Sequence, residues 1–292
     1  MTRAITCFMT CFLALAVTLV LACEPALAKK KATAARARYP LPVQAALLVN
    51  LSTGQTLYEQ RADQLIPPAS LTKVMTMFLA FDSIRAKRLR ENSMVTVPAQ
   101  AAHTGGSSMR LRSGERVPLI RLLTGMAVAS GNDAAMAVAH VVNPNQAKFV
   151  RAMNQKAREV GMRATTFVNP TGLPAKGQLT TARDMMRLAV AYMKRHPQAR
   201  RIHATRHFLH NGMTFGNTNP LLGLVQGVDG LKTGFTVASG YNVIITATRG
   251  KTRLLAVVLG GKTSARRNNA AHRLIEAGFK FPTSKKQVRQ NL

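Results

Sequence analysis

The apolar positions change period several times along the chain, and the changes divide it into elements. Residues 5–23 are almost wholly apolar. Val43–Asn50 is an apolar run of strand length. Leu51-Ser52-Thr53-Gly54 then turns the chain so that Gln55–Glu59 can pair back as a hairpin. Pro67-Pro68 suits an extended approach and cannot continue a preceding helix. The unbroken run Val74–Phe81 behind it predicts a buried helix beginning near Ser70 and reaching about Ile84. Val95-Thr96-Val97 reads as a short strand and Gly105–Ser108 as a loop. Apolar helices are predicted over Leu119–Met126 and Ala134–Val142, the second ended by Asn143-Pro144. Phe149, Ala152, Met153, Ala157 and Val160 fall at helical spacing over Ala147–Val160, with Gly161 as the stop. Thr181-Ala182-Arg183-Asp184 has the form of a capping box for a helix over Met185–Arg195. Residues 203–222 read as irregular and polar. Val228–Thr236 leads into Tyr241–Thr248, and Arg249-Gly250-Lys251 turns the chain back along Arg253–Leu259, a hairpin of buried β-branched strands. An amphipathic helix over Ala265–Ala277 is closed by Gly278, and a basic tail follows. Strands, a long helical middle, then strands and a last helix predict an α+β domain. Its antiparallel sheet is built from both ends of the chain, with helices inserted between.

Charge alters this picture. In 292 residues, 41 Lys and Arg face 11 Asp and Glu, a formal charge of +30, while 47% of residues are hydrophobic. The chain can bury a core, and its charge draws it to an anionic partner. Residues 1–28 narrow the choice. Met1-Thr2-Arg3, the apolar stretch and Ala26-Leu27-Ala28 have the layout of a secretory signal peptide. Two alternatives are an uncleaved membrane anchor and a lipidated Cys23, for which Leu21 fits the pattern poorly. Residues 29–39 read as a basic linker, 40–281 as the domain proper and 282–292 as the tail. Cys7, Cys11 and Cys23 all lie in the leader, so the mature chain would carry no thiol chemistry. Export weakens a nucleic-acid reading. The basic residues are scattered, do not interleave with aromatics, and form no zinc-finger or RNP-like pattern. An anionic cell envelope is the simpler partner.

Three short patterns carry candidate chemistry. Ser70 and Lys73 stand three apart, so on a helix they share one face with the amine in reach of the hydroxyl. A serine needs a base to become a nucleophile, and a desolvated lysine can be that base. S-x-x-K alone equally describes a capped helix bearing a solvated lysine. Ser130-Gly131-Asn132 alone would be a helix cap, and Lys232-Thr233-Gly234 alone the start of a strand. In this order and at these separations, S-x-x-K, S-x-N and K-T-G are the signature of penicillin-recognising serine enzymes.

The surrounding residues narrow it further. Pro68–Thr76, Ala129–Ala135, Asn169-Pro170-Thr171-Gly172-Leu173, Thr181–Asp184 and Val228–Thr236 closely resemble the low-molecular-mass penicillin-binding proteins, the serine-type D-alanyl-D-alanine carboxypeptidases. The resemblance covers about residues 40–280. It implies a β-lactamase/penicillin-binding-protein-like fold, an antiparallel sheet flanked by helices with a helical subdomain. It also implies no cofactor or metal, β-lactam antibiotics as inhibitors, and the D-Ala-D-Ala end of peptidoglycan stem peptides as substrate. By the same resemblance Ser70 attacks, Lys73 is its base and Ser130 relays a proton to the departing D-alanine amine. Asn132 holds the substrate backbone, and Lys232 and Thr233 take the terminal carboxylate. Gly234 lets the substrate lie against the strand, and the backbone N–H groups of Ser70 and Phe235 form the oxyanion hole.

Alternatives are weighed on single residues. A class A β-lactamase uses a further glutamate for deacylation. After Asn132 the sequence offers only Glu159 and Glu276, neither in an E-x-x-x-N setting. A D,D-endopeptidase has the same chemistry and differs in what fits beyond the scissile bond. A non-catalytic envelope-binding protein would not need every motif residue intact. Asp133 and Asp184 read as structural, and His140, His203, His207 and His210 as surface or packing residues. Many members of the resembled family carry a β-rich second domain and a C-terminal amphipathic membrane helix. The tail after Pro282 is expected to be too short and polar to act as an anchor.

Overall fold

The computed structural model describes residues 41–292. The leader with its three cysteines and the linker 29–39 lie outside the described residues. Strands β1 (Ala45–Asn50) and β2 (Thr56–Gln60) form the first hairpin. A 3-10 turn, Ala69–Thr72, runs into helix α1 (Lys73–Arg85). Then come β3 (Met94–Thr96), α2 (Ala99–Ala102) and β4 (Arg116–Pro118). Four longer helices follow: α3 (Leu119–Val128), α4 (Asn132–Val142), α5 (Gln146–Glu159) and α6 (Ala182–Arg195). A short helix α7 (Arg200–His203) precedes a hairpin, β5 (His207–His210) and β6 (Met213–Gly216). The chain ends with β7 (Val228–Thr236), β8 (Gly240–Arg249), β9 (Thr252–Gly261), α8 (Ser264–Lys280) and α9 (Lys285–Gln290).

The main sheet is antiparallel in the order β2-β1-β9-β8-β7, so both ends of the chain build it and β7 is an edge. Its central strands read as unbroken apolar runs because both faces are covered. Ala45, Leu47, Val49, Leu255, Val257 and Leu259 point into the core shared with the helical insertion. Their neighbours Ala46, Leu48, Leu254, Ala256 and Val258 join a second core under α8. This is the period of two in a strand with no wet face. Helix α1 has no polar side either: Val74 to Phe81 are buried without interruption, as in a helix enclosed by its neighbours. Among the described residues no helix is long and apolar enough to cross a membrane.

Three sequence expectations change. Residues 203–222, expected to be irregular, contain the β5–β6 hairpin; Asn211 (φ +47°) and Gly212 (φ +74°) make its turn. With two neighbouring residues at positive φ this is the primed turn geometry that matches strand twist. Thr181 caps α6 by accepting from Asp184 N–H, but Asp184 does not reach back as in a capping box. Its carboxylate instead takes the backbone N–H groups of Arg163 and Ala164 and the Thr165 hydroxyl, tying down the preceding loop. The basic tail is folded as α9, capped by Ser284, with Val288 buried in the second core. One apolar residue among charges is too weak a pattern to announce a helix.

Candidate active site

Ser70 sits on the 3-10 turn one turn before the enclosed part of α1 and is partly buried. The preceding Ala69 is in the left-handed region (φ +49°), a conformation that costs an alanine energy unless its surroundings enforce it. The enforcing contact is visible. Gly172 (φ +86°) lies so close that a Cβ there would stand 1.8 Å from the Ala69 carbonyl oxygen. Only glycine fits that position. Its loop is folded by Asn169, whose Oδ1 accepts from Thr171 N, Gly172 N and the Thr171 hydroxyl. The loop is bound to α1 by Thr76 Oγ1 donating to Pro170 O at 2.7 Å.

Lys73 is completely buried, with its amine 2.8 Å from Ser70 Oγ, 2.6 Å from Asn132 Oδ1 and 2.8 Å from Thr171 O. Burial, then the positive charge of Lys232, hold its pKa well below the ordinary lysine value, against a smaller opposing pull from Asp133. The partner set specifies how a neutral amine would sit. Asn132 Oδ1 and the Thr171 carbonyl can only accept, so they take the two N–H groups. The lone pair then faces the Ser70 hydroxyl, the one partner that can donate. Asn132 is oriented for this by its own amide, which donates to Gly105 O at 2.6 Å, while its backbone N–H donates to Ser107 O. Gly106 must be glycine here: a Cβ would lie 2.7 Å from Asn132 Nδ2.

Ser130, at φ +60° on the α3–α4 connection, is buried and accepts from Lys232 Nζ at 2.9 Å. Lys232 also donates to Thr233 O at 2.9 Å. Burial and then the charge of Arg267 lower the Lys232 pKa to about 7, so its charge varies across the neutral range. Thr233 Oγ1 donates to Thr218 Oγ1 at 2.7 Å. Gly234 brings β7 against the Ser70 turn, where a Cβ would be 3.0 Å from Ser70 N and 3.2 Å from Leu71 N. Phe235 is 50% exposed, its ring 4.3 Å from that of Tyr241.

All eight residues singled out in the sequence therefore lie on elements that meet around Ser70. Asp133 is structural, accepting from the N–H groups of Met109, Leu111 and Ala134 and from Ser108 Oγ. His203 and His210 are buried, while His140 and His207 are exposed. Contributors with no role assigned from sequence include the Thr171 carbonyl, Asn169, Gly172, Gly106, Thr218 and Arg267. The Asn169–Leu173 motif and the Gly105-Gly106 pair were visible, but a backbone carbonyl has no side-chain signature. Thr218 lay in a stretch expected to be irregular, and Arg267 is one of many arginines.

A family model described as D-alanyl-D-alanine carboxypeptidase, Peptidase_S11, matches residues 30–263. The chain is 38% identical over 242 residues to the D-alanyl-D-alanine carboxypeptidase DacC of Escherichia coli, covering 80% of this chain and 60% of DacC. It is 31% identical over 254 residues to the D-alanyl-D-alanine endopeptidase of Pseudomonas aeruginosa, covering 83% of this chain and 80% of that protein. Penicillin-binding protein D2 of Listeria monocytogenes, solved in an ampicillin-bound form, superposes with a TM-score of 0.75 at 33% identity, covering 82% of this chain and 98% of that one. The chain spans about 60% of the length of the curated carboxypeptidase DacC.

Proposed function

This chain belongs to the D-alanyl-D-alanine carboxypeptidase family, peptidase S11, and from that premise we propose that it removes the terminal D-alanine of peptidoglycan stem peptides through an acyl-enzyme on Ser70. The observation that carries the reading is the Lys73 amine, buried and ringed by two obligate acceptors and one hydroxyl. Lys73 takes the Ser70 proton as Oγ attacks the carbonyl of the penultimate D-alanine. The oxyanion forms against the backbone N–H groups of Ser70 and Phe235, donors worth about 3–4 kcal/mol each in the transition state. Ser130 then gives its hydroxyl proton to the departing amine and recovers one from the Lys73 ammonium, so the proton taken from Ser70 ends on the leaving group, with Lys232 beside it. Lys232 and Thr233 hold the carboxylate of the leaving D-alanine, and Asn132 the peptide backbone. Water finally releases the shortened peptide and restores Ser70.

β-Lactams would acylate the same serine. Turnover of the β-lactam acyl-enzyme by a class A route lacks its glutamate: Glu159 pairs with Lys156, and Glu276 with Arg249. A D,D-endopeptidase is the second reading, favoured by the larger share of the Pseudomonas endopeptidase that this chain spans. Export through the leader of residues 1–28, with residues 40–281 as the peptidase domain, places the enzyme at the cell wall, where its charge favours anionic envelope polymers.

Labelled penicillin should attach to the wild type and not to Ser70→Ala; equal labelling removes Ser70 as nucleophile. D-alanine released from a pentapeptide, with a cross-linked dimer left intact, is the expected pattern. The reverse pattern makes the enzyme an endopeptidase.

A further inference from the structure

Register divides the side chains at the end of β7 between the two faces of the sheet. Lys232 lies opposite Ile244, part of the core shared with the helical insertion, and Thr233 opposite Val243, part of the core under α8. Cross-strand neighbours share a face, and successive residues alternate. Lys232 and Gly234 therefore face the helical insertion, where Lys232 meets Ser130 and Gly234 meets the Ser70 turn. Thr233 and Phe235 face the α8 side at the free edge of the sheet, along which Thr233 reaches Thr218. Phe235 lies opposite Tyr241, with the two rings 4.3 Å apart. Behind Tyr241 stands the buried Arg267 of α8, its guanidinium 6.0 Å from the ring centre. That guanidinium is fixed in turn by the Asn242 carbonyl and the Asn268 side chain. The Phe235 ring is thus supported on one side and open to solvent on the other.

In the proposed reaction the scissile carbonyl oxygen lies at the Phe235 N–H and the terminal carboxylate at the Thr233 hydroxyl, on residues whose Cα atoms are about 7 Å apart along the strand. The α-carbon of the leaving residue lies within that interval. Its amine is turned to Ser130, on the helical side, and its carboxylate to Thr233. Its hydrogen and its side chain remain, and the wall opposite Ser130 is the Phe235 ring. We propose that Phe235, seated on Tyr241, is a specificity-determining residue: its ring limits the side chain of the leaving residue to little more than a methyl group. This rests on the carboxypeptidase reading and deepens it. A terminal D-alanine fits beside the ring, whereas a cross-link presents a far larger leaving group to the same place.

The test uses two stem pentapeptides that differ only in the last residue, one ending in D-Ala-D-Ala and the other in D-Ala-D-Leu. kcat/KM is measured for release of the terminal residue from each. Both peptides use the same oxyanion donors, so the ratio cancels a small displacement of the Phe235 backbone. Wild type should prefer the D-alanine terminus by about tenfold or more. Phe235→Ala should lose most of that preference, and Phe235→Tyr should keep it. A Phe235→Ala protein with the wild-type Tm and the wild-type preference overturns the proposal, as does a wild type that releases the two residues equally well. Should Phe235→Ala not fold, Phe235→Val carries the test: a preference lowered severalfold supports the proposal, and an unchanged one overturns it. Wild-type protein that releases neither residue but cleaves the cross-linked dimer fails the carboxypeptidase reading, and this proposal with it.

Discussion

The roles proposed for the two buried lysines differ, and pH separates them. Lys73 must be neutral to accept a proton, and burial together with the Lys232 charge keeps it well below its usual pKa. Asn132→Asp would place a carboxylate 2.6 Å from that amine. An opposite charge so close favours the ammonium by roughly 1–3 pKa units. Acylation by labelled penicillin should then show its acid limb shifted to higher pH by that amount, with the high-pH plateau partly retained. An unshifted limb would mean that Lys73 is not the base. Lys232 must be charged to attract a carboxylate. With a pKa of about 7 in the free enzyme, kcat/KM for an anionic peptide should fall as pH rises through 7 and above. The stability consequence has the opposite sense. The folded pKa is lowered from 10.5 to about 7, so between those values the unfolded chain binds more protons and stability contributed by this group rises with pH. The Tm of the wild type minus that of Lys232→Met should therefore increase between about pH 7 and 10; a flat difference would show that Lys232 is not depressed.

At the scale of elements, the Ser70 turn depends on the Asn169–Leu173 loop, which supplies none of the side chains proposed to act on substrate. Gly172→Ala would put a methyl group into the Ala69 carbonyl and demand positive φ of a non-glycine residue. The clash and strain together should cost roughly 3 kcal/mol or more, a fall in Tm of about 6–12 °C. Penicillin acylation should drop more steeply than stability, because the displaced atoms adjoin Ser70 N. Thermal melts and acylation rates on the same preparation check both. This loop also shows where sequence reading reaches its limit. Buried elements such as β8, β9 and α1 were legible because uninterrupted apolar runs leave few alternatives. The three motifs were legible because the proposed chemistry lies in their side chains. Thr171 acts through its carbonyl and Gly172 through the absence of a side chain, so neither advertises a role by residue type. The β5–β6 hairpin and α9 were missed because each is held by one or two buried side chains, such as Phe208 and Val288, among polar neighbours. Packing rather than periodicity stabilises such pieces.

On the scale of the whole molecule, the acidic residues are largely consumed internally. Glu59 and Asp63 pair with Arg183, Asp82 with Lys156 and Arg195, Asp184 with Arg187, and Glu276 with Arg249. Asp133 is spent on backbone N–H groups. Among the described residues most of the surplus Lys and Arg side chains are therefore left to face solvent, with little local compensation. Such a field acts over roughly 10 Å at 0.1 M salt and about 3 Å at 1 M. It can hold the protein on an anionic polymer at low salt without any shaped binding groove. Inside the site the geometry is different. The two lysines there are buried, and in the proposed mechanism they act on a substrate at contact distance, where salt screens poorly. Retention on insoluble cell-wall material should therefore collapse between 0.1 and about 1 M salt. Turnover of a short soluble stem peptide should change far less over the same range. Co-sedimentation and peptide kinetics run in the same buffers test this directly. Retention that survives high salt would place wall binding in specific contacts instead of net charge. Peptide turnover that fell in parallel would mean that the long-range field, and not the buried Lys232 alone, gathers the substrate.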